Sequence, residues 1–69
     1  MTIKFEVEFE TDNAAFENNK EAEIEKVLDQ AKESASLLIR EAPMIKNAAG
    51  LSYSLFDSNG NRIGQVTIL

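Results

Sequence analysis

The chain of 69 residues carries a net charge of −5 and contains neither cysteine nor histidine. These absences exclude disulfides, thiol nucleophiles, histidine-based acid–base catalysis and nearly all transition-metal sites. A chain this short is expected to form a single domain, residues 1–69, whose core supplies only about 3–5 kcal/mol of net stability, so a partner subunit is worth considering.

The distribution of charge and apolar residues limits where the protein acts. No apolar run approaches the roughly 20 residues of a membrane span, and no basic region followed by an apolar core begins the chain, so we expect a soluble protein without an export signal. Residues 1–33 carry ten acidic side chains against four lysines, a net −6, while residues 34–69 carry two acidic against three basic side chains, a net +1. This excess of carboxylates disfavours direct binding of nucleic acid, which needs clustered Lys and Arg.

The segment from Thr2 to Glu10 alternates between apolar and polar residues, which predicts a half-buried β-strand. Its apolar side carries Ile3, Phe5, Val7 and Phe9. Its polar side carries Lys4, Glu6, Glu8 and Glu10. We interpret these carboxylates as a solvated face that discourages edge-to-edge aggregation.

A helix is predicted from Lys20 to Ala42, because apolar residues recur there at intervals of three and four. This stripe consists of Ile24, Val27, Leu28, Ala31, Ala35, Leu38 and Ala42. The helix should begin near Asn18 or Asn19, and Asn18 as the cap would place Glu21 at the third helical position, as in a capping box. Pro43 should end it.

Two apolar side chains of the helix, Leu37 and Ile39, do not belong to the stripe. One interpretation is that the returning segment covers them with Met44, Ile45, Ala48 and Ala49. The alternative is that they form a surface for a partner.

The C-terminal segment reads as a β-hairpin, since Asn59-Gly60 readily forms a two-residue turn. This turn would set Leu55 opposite Gly64, Tyr53 opposite Val66 and Leu51 opposite Ile68, so that apolar residues meet apolar or small ones. Ser54 would face Gln65, and Ser52 would face Thr67. Asp57 would lie opposite Arg62 as a pair of unlike charges.

The order strand, helix, strand, strand predicts an α+β fold of the β-α-β-β type. We expect a three-stranded, mainly antiparallel sheet with the one long helix packed on the apolar side of the strands. The expected spatial order is 1-3-2, with a parallel pairing of the first strand beside the second as the alternative.

No residue pattern indicates catalysis, a cofactor or a metal ion, and we expect a protein that is not an enzyme. The turn Asp57–Asn61 does not match a calcium loop. With Gly60 at the sixth loop position, Leu55 rather than Asp would occupy the first, and no Glu follows at the twelfth.

The segment Thr11–Phe16 is interpreted as a packed corner that fixes how the helix leaves the first strand, with a binding role as the alternative.

One feature of the predicted helix is not required for stability. It is an acidic ridge of four carboxylates spaced four residues apart, Glu21, Glu25, Asp29 and Glu33. Each like-charged pair costs about 0.2–0.5 kcal/mol. The row is either ordinary solvation of a surface helix or an acidic surface for a basic protein partner. The candidate partner-binding residues are Glu21, Glu25, Asp29, Glu33 and Leu37. The alternative function is a homodimeric module that buries Leu37 with Ile39, or Phe56 with Ile63.

Two stretches resemble short uncharacterised proteins of bacteriophages and prophages. These are Glu10–Phe16, with the sequence ETDNAAF, and Asp57–Gly64, with the sequence DSNGNRIG. The resemblance implies a phage-type origin and a location in the cytoplasm of a bacterial host. It carries no known activity or site residue. Our leading hypothesis is a non-catalytic, phage-type accessory protein that acts by protein–protein contact through the acidic face of the helix. One concrete version is an inhibitor that blocks a basic, nucleic-acid-handling host protein, of the anti-CRISPR or nuclease-inhibitor kind.

Overall fold

The computed structural model describes residues 2–42 and 48–69. Its elements are β1 (Phe5–Phe9), a 3₁₀ turn (Ala14–Phe16), α1 (Lys20–Glu41), β2 (Ser52–Phe56) and β3 (Arg62–Ile68). The strands form one antiparallel sheet in the order β1-β3-β2. The predicted α+β fold and the order 1-3-2 are therefore confirmed, and the parallel alternative is wrong. Within the described parts of the chain, no helix is long and apolar enough to cross a membrane.

The buried core joins the 3₁₀ turn, α1, β2 and β3. Its buried apolar side chains are Phe16, Val27, Ala31, Leu38, Leu55, Ile63, Val66 and Ile68. In the described residues α1 contacts β2, β3 and the 3₁₀ turn. From β1, Phe5 and Phe9 pack half-buried against this core, whereas Val7 is 44% exposed and Ile3 just before it is 37% exposed. The expectation that the helix covers the apolar side of every strand is thus not confirmed for β1.

The helix is rotated relative to the predicted stripe. Val27 and Leu38 are fully buried, but Leu28 is 50% exposed while Glu23 is only 5% exposed. A helix advances about 100° per residue, so Leu28 lies about 100° from Val27 on one side and Glu23 about 40° from it on the other. The assignment of Leu28 to the core was wrong because the buried side is turned towards Glu23.

The helix begins at Lys20, with Asn19 as its cap. The Asn19 side chain accepts a hydrogen bond from the Ala22 backbone N–H at 3.1 Å. A cap at Asn19 satisfies one of the free N–H groups of the first turn and places Glu21 at the second helical position. The capping box built on Asn18 is therefore wrong.

The two apolar side chains outside the stripe are open to solvent. Leu37 is 42% exposed and Ile39 is 49% exposed, so the predicted cover by the returning segment is not confirmed. Met44 and Ile45, which were expected to cover them, and Pro43, the expected helix stop, lie outside the described residues.

The hairpin has the predicted pairing over most of its length. Leu55 pairs with Gly64 and Tyr53 with Val66, and the two serine pairs also form as predicted. The Ile68 backbone N–H donates to the Leu51 carbonyl at 2.9 Å, which extends the same register.

The turn itself differs from the prediction. Asp57 N–H donates to the Asn61 carbonyl and Gly60 N–H donates to the Asp57 carbonyl, both at 3.0 Å, and Gly60 has a φ of +82°. These contacts define a three-residue loop, Ser58–Gly60, in which a type I turn is followed by glycine in the left-handed region. The two-residue loop is therefore wrong.

A β-bulge compensates for the longer loop. Phe56 pairs with Arg62 but Leu55 pairs with Gly64, so Ile63 is an extra residue in β3. The bulge restores the predicted register beyond the turn and turns Ile63 into the core, where it is 7% exposed. Ile63 is consequently excluded from the proposed dimer surface. Arg62 does not pair with Asp57 and instead donates to Ser54 Oγ and Gln65 Oε1, each at 3.0 Å.

Candidate protein-binding surface

The five residues predicted to bind a partner lie in one exposed row on α1. The side chains of Glu21, Glu25, Asp29 and Glu33 are all exposed, and Leu37 continues the same four-residue spacing. The row extends about 24 Å along the helix and winds about 160° around it. It is therefore a winding ridge, whose two ends face different directions.

The carboxylates of this ridge are unpaired in the described residues. Across residues 2–42 and 48–69 the structure shows one ion pair, from Lys26 Nζ to Glu23 Oε1 at 4.0 Å. Glu33 and Leu37 share a shallow depression with Lys32, Ser36 and Arg40. The C-terminal end of the ridge is therefore mixed in charge, and the negative charge is concentrated between Glu21 and Asp29.

An apolar flank runs beside the acidic ridge. Leu28 and Ile39, each about half exposed, lie only about 20° apart around the helix axis. Glu21 and Glu25 lie next to this flank by the same rotation. The structure thus places unpaired carboxylates beside exposed aliphatic side chains, a combination that the sequence missed by assigning Leu28 to the core.

A buried carboxylate joins α1 to the hairpin turn. Glu23 Oε2 accepts the Ser58 backbone N–H at 2.8 Å, and Glu23 Oε1 accepts the Ser58 hydroxyl at 2.6 Å. Because a buried carboxylate is costly unless it is hydrogen-bonded, this contact fixes the rotation of the helix near the turn. One signal in the sequence could have indicated it, namely that Glu23 lies close to the apolar stripe.

Asp57 organises the turn and binds the segment before the helix. It is 5% exposed, and its Oδ1 accepts the backbone N–H groups of Asn59 and Asn61, both at 2.9 Å. Its Oδ2 accepts Asn13 Nδ2 at 2.6 Å, and Asn13 Oδ1 is buried without a hydrogen-bond partner among the described residues. The segment before the helix and the hairpin turn are therefore in direct contact.

Gln30 closes part of the outer edge of β2. Its Nε2 donates to the Phe56 carbonyl, and its Oε1 accepts the Phe56 backbone N–H at 3.0 Å. The primary amide of Gln30 donates one hydrogen bond and accepts another, as a residue of a neighbouring strand would. Gln30 thus replaces a neighbouring strand at this point of the edge.

Tyr53 is half-buried against the core, as predicted, and its hydroxyl donates to Glu41 Oε1. This hydrogen bond, followed by desolvation and by the negative charge of Glu41, raises the pKa of Tyr53 above its ordinary 10.0. The neutral phenol is therefore favoured in the folded chain.

The Tyr53 hydroxyl gives a pH prediction. Because its pKa is higher in the folded state, its contribution to stability is complete below pH 10.0 and is lost as the pH rises through the folded-state pKa. Tyr53 is the only tyrosine and there is no tryptophan, so tyrosinate absorbance near 295 nm follows it alone. We expect a midpoint above that of the urea-unfolded chain, and E41Q should lower it. Equal midpoints for the folded and unfolded chain would contradict the contact.

The two buried carboxylates, those of Glu23 and Asp57, have a structural role. Each accepts several hydrogen bonds that hold the fold together. Among the residues that the structure describes, no three acidic side chains converge on a point that could hold a metal ion.

No protein-family model, curated protein or solved structure matches the chain. The phage-type origin accordingly stays a prediction.

Proposed function

We propose that the protein is a small, non-catalytic accessory protein that acts by binding another protein. The observation that carries the proposal is the row Glu21, Glu25 and Asp29, whose carboxylates are exposed and have no ion pair in the described residues. Unpaired like charges in one row cost stability, so a surface that keeps them is suited to a partner of opposite charge.

The favoured partner is a basic protein that handles nucleic acid. Carboxylates about 6 Å apart along a helix resemble the repeated negative charges of a nucleic-acid strand. A host protein with a groove lined by Lys and Arg would bind this row in place of its own substrate. In this proposal the protein is of phage type, acts in the cytoplasm of a bacterial host and inhibits its partner in the manner of an anti-CRISPR or nuclease inhibitor.

The test compares two variants that remove the same amount of charge. E25Q/D29N neutralises the middle of the ridge, and D12N/E17Q neutralises two exposed carboxylates outside it. With the tagged wild-type chain as bait in bacterial lysate, we expect a partner whose capture weakens steeply between low and high salt. E25Q/D29N should lose that partner while D12N/E17Q retains it. Equal capture by both variants, or no partner at either salt concentration, would refute the proposal.

A second candidate is a homodimer, favoured by the exposed apolar side chains of Leu37, Ile39 and Phe56, which are 42%, 49% and 43% exposed. Burial against a second copy of either Leu37 with Ile39 on the helix, or Phe56 on the polar face of the sheet, would add the apolar area that a short chain lacks. Sedimentation equilibrium at micromolar concentration decides this, since a single species of 7.7 kDa removes the candidate.

A further inference from the structure

The outer edge of β1 has free backbone groups. Leu69 N–H donates to the Lys4 carbonyl at 3.0 Å, and Glu10 N–H donates to the Ile63 carbonyl at 2.9 Å. In an antiparallel pair the bonded residues alternate, so the even-numbered residues of this segment bond to β3. The N–H and C=O groups of Phe5, Val7 and Phe9 therefore point away from β3, and in the described residues no strand lies beyond β1.

The other edge of the sheet is protected. Gln30 accepts the N–H of Phe56 and donates to its carbonyl, so α1 occupies the outer edge of β2 at that point. The structure shows no equivalent contact for β1 in the described parts of the chain. Because unprotected edge strands are templates for pairing with another chain, the two edges have different potential for binding.

The apolar side of β1 is only partly covered, since Phe5 and Phe9 pack half-buried against the core but Val7 does not. Val7 pairs with Val66, which is 0% exposed, yet Val7 itself is 44% exposed. Leu28 lies about 160° around α1 from Gln30, on the side of the helix away from β2. β1 is at the sheet edge opposite β2, so the apolar flank of α1 lies towards β1. A strand added beside β1 would cover both Val7 and the apolar flank of α1.

We propose that β1 binds an extended segment of a partner protein, in which basic residues alternate with apolar ones, as a fourth strand. This inference rests on the proposed function and names the kind of partner segment. The backbone of Phe5, Val7 and Phe9 supplies the hydrogen bonds, as in other cases of strand addition. Apolar residues of the added strand meet Val7 and the flank of α1.

Charge selects the occupant of this edge. The opposite side of β1 exposes Glu6, Glu8 and Glu10, which would be cross-strand neighbours of every second residue of the added strand. Lys or Arg at those positions forms pairs of unlike charge. A second copy, which itself carries a net −5, would set Glu6 against Glu8 within two β1 strands paired antiparallel about Val7, and Lys4 would meet Glu10 only beyond the strand ends. The carboxylates therefore disfavour self-pairing and favour a basic strand.

The experiment uses two capped octapeptides with the same composition. One alternates lysine and valine, and the other places four lysines before four valines, so only the first can present its charges on one side of a strand. Binding to the ¹⁵N-labelled full chain is followed by NMR titration at low salt. We expect the alternating peptide to bind about tenfold more tightly and to slow exchange of the Phe5, Val7 and Phe9 amides.

Three variants locate the bound peptide. V7P removes an outward N–H that β3 does not use and should abolish binding of the alternating peptide. E6Q/E8Q/E10Q should weaken it about tenfold, whereas E21Q/E25Q/D29N, which removes the same charge from the helix ridge, should change it less than threefold. If V7P fails to fold, the two matched triple variants decide.

Each contrary outcome identifies a different failure. Equal affinity for the two peptides, or binding of neither, overturns the strand proposal. A larger loss in E21Q/E25Q/D29N than in E6Q/E8Q/E10Q places the peptide on the helix, which overturns the strand proposal but leaves the proposed function. A wild-type dimer in sedimentation that V7P abolishes would show that a second copy occupies the edge, and would equally overturn the proposal.

Discussion

Replacing Gly64 with alanine is expected to detach β1 from β3 and leave the chain largely unfolded. A Cβ at this position would lie 1.8 Å from the Glu8 carbonyl oxygen and 2.5 Å from the Phe9 Cα. Both are backbone atoms of the paired strand, so they cannot move aside without breaking the pairing. We expect a loss of more than about 3 kcal/mol, comparable to the whole stability of so small a core, measured by thermal and urea melts.

Gly60 provides the matched control for this substitution. A Cβ at Gly60 meets nothing within 4 Å, and only its φ of +82° opposes a side chain. G60A should therefore cost about 1–2 kcal/mol and keep a native circular dichroism spectrum. If G64A were no more destabilising than G60A, the close approach of β1 to β3 would be wrong.

Asp57→Ala is expected to cost about 2–3 kcal/mol, because it removes the acceptor of several hydrogen bonds that converge on a buried charge. It leaves the Asn59 and Asn61 N–H groups and the Asn13 amide without their partner. Asp29→Ala removes an exposed carboxylate from α1 and should change stability by less than about 0.5 kcal/mol. Urea unfolding of both variants measures the difference.

A double-mutant cycle tests whether Asn13 and Asp57 act together. Asn13→Ala in the D57A background should cost less than in the wild type, because the shared hydrogen bond is already lost. Strictly additive free energies of unfolding would show that the two motif stretches are not coupled, and would contradict the contact described for this end of the fold.

The hairpin shows how far sequence patterns can predict a register. Alternation in the two strands correctly paired Tyr53 with Val66 and Leu55 with Gly64, because one wrong step would expose every apolar side chain. The same pattern could not show that the loop has three residues and that a bulge at Ile63 cancels the extra residue. Two compensating local changes leave the distant pairing unchanged, so the alternation does not record them.

The orientation of α1 was predicted incompletely for a different reason. Periodicity located the helix and its buried residues Val27, Ala31 and Leu38, but it ranks residues by apolarity and so placed Leu28 inside and Glu23 outside. The hydrogen bonds of Glu23 to Ser58 and of Gln30 to Phe56 connect residues 35 and 26 positions apart. Such contacts become visible only when the fold is known.

The sequence predicted which residues are exposed on the candidate surface better than it predicted how that surface is arranged. The four ridge carboxylates are exposed as the spacing indicated, since each is displaced from the buried side of the helix. The predicted order 1-3-2 already places β1 at an edge of the sheet. What the sequence missed is that Val7, on the apolar side of β1, stays 44% exposed, because the contacts of Glu23 and Gln30 turn α1 towards β2.

Amide hydrogen exchange along β1 tests the central claim most directly, namely that this strand is an unprotected edge. The Val7 and Phe5 amides should exchange rapidly, while those of Glu6 and Glu8, which face β3, should be protected by the stability of the sheet. This alternating pattern is the predicted result. Slow exchange at Val7 equal to that at Glu8 would show that the edge is already occupied, and would contradict the account.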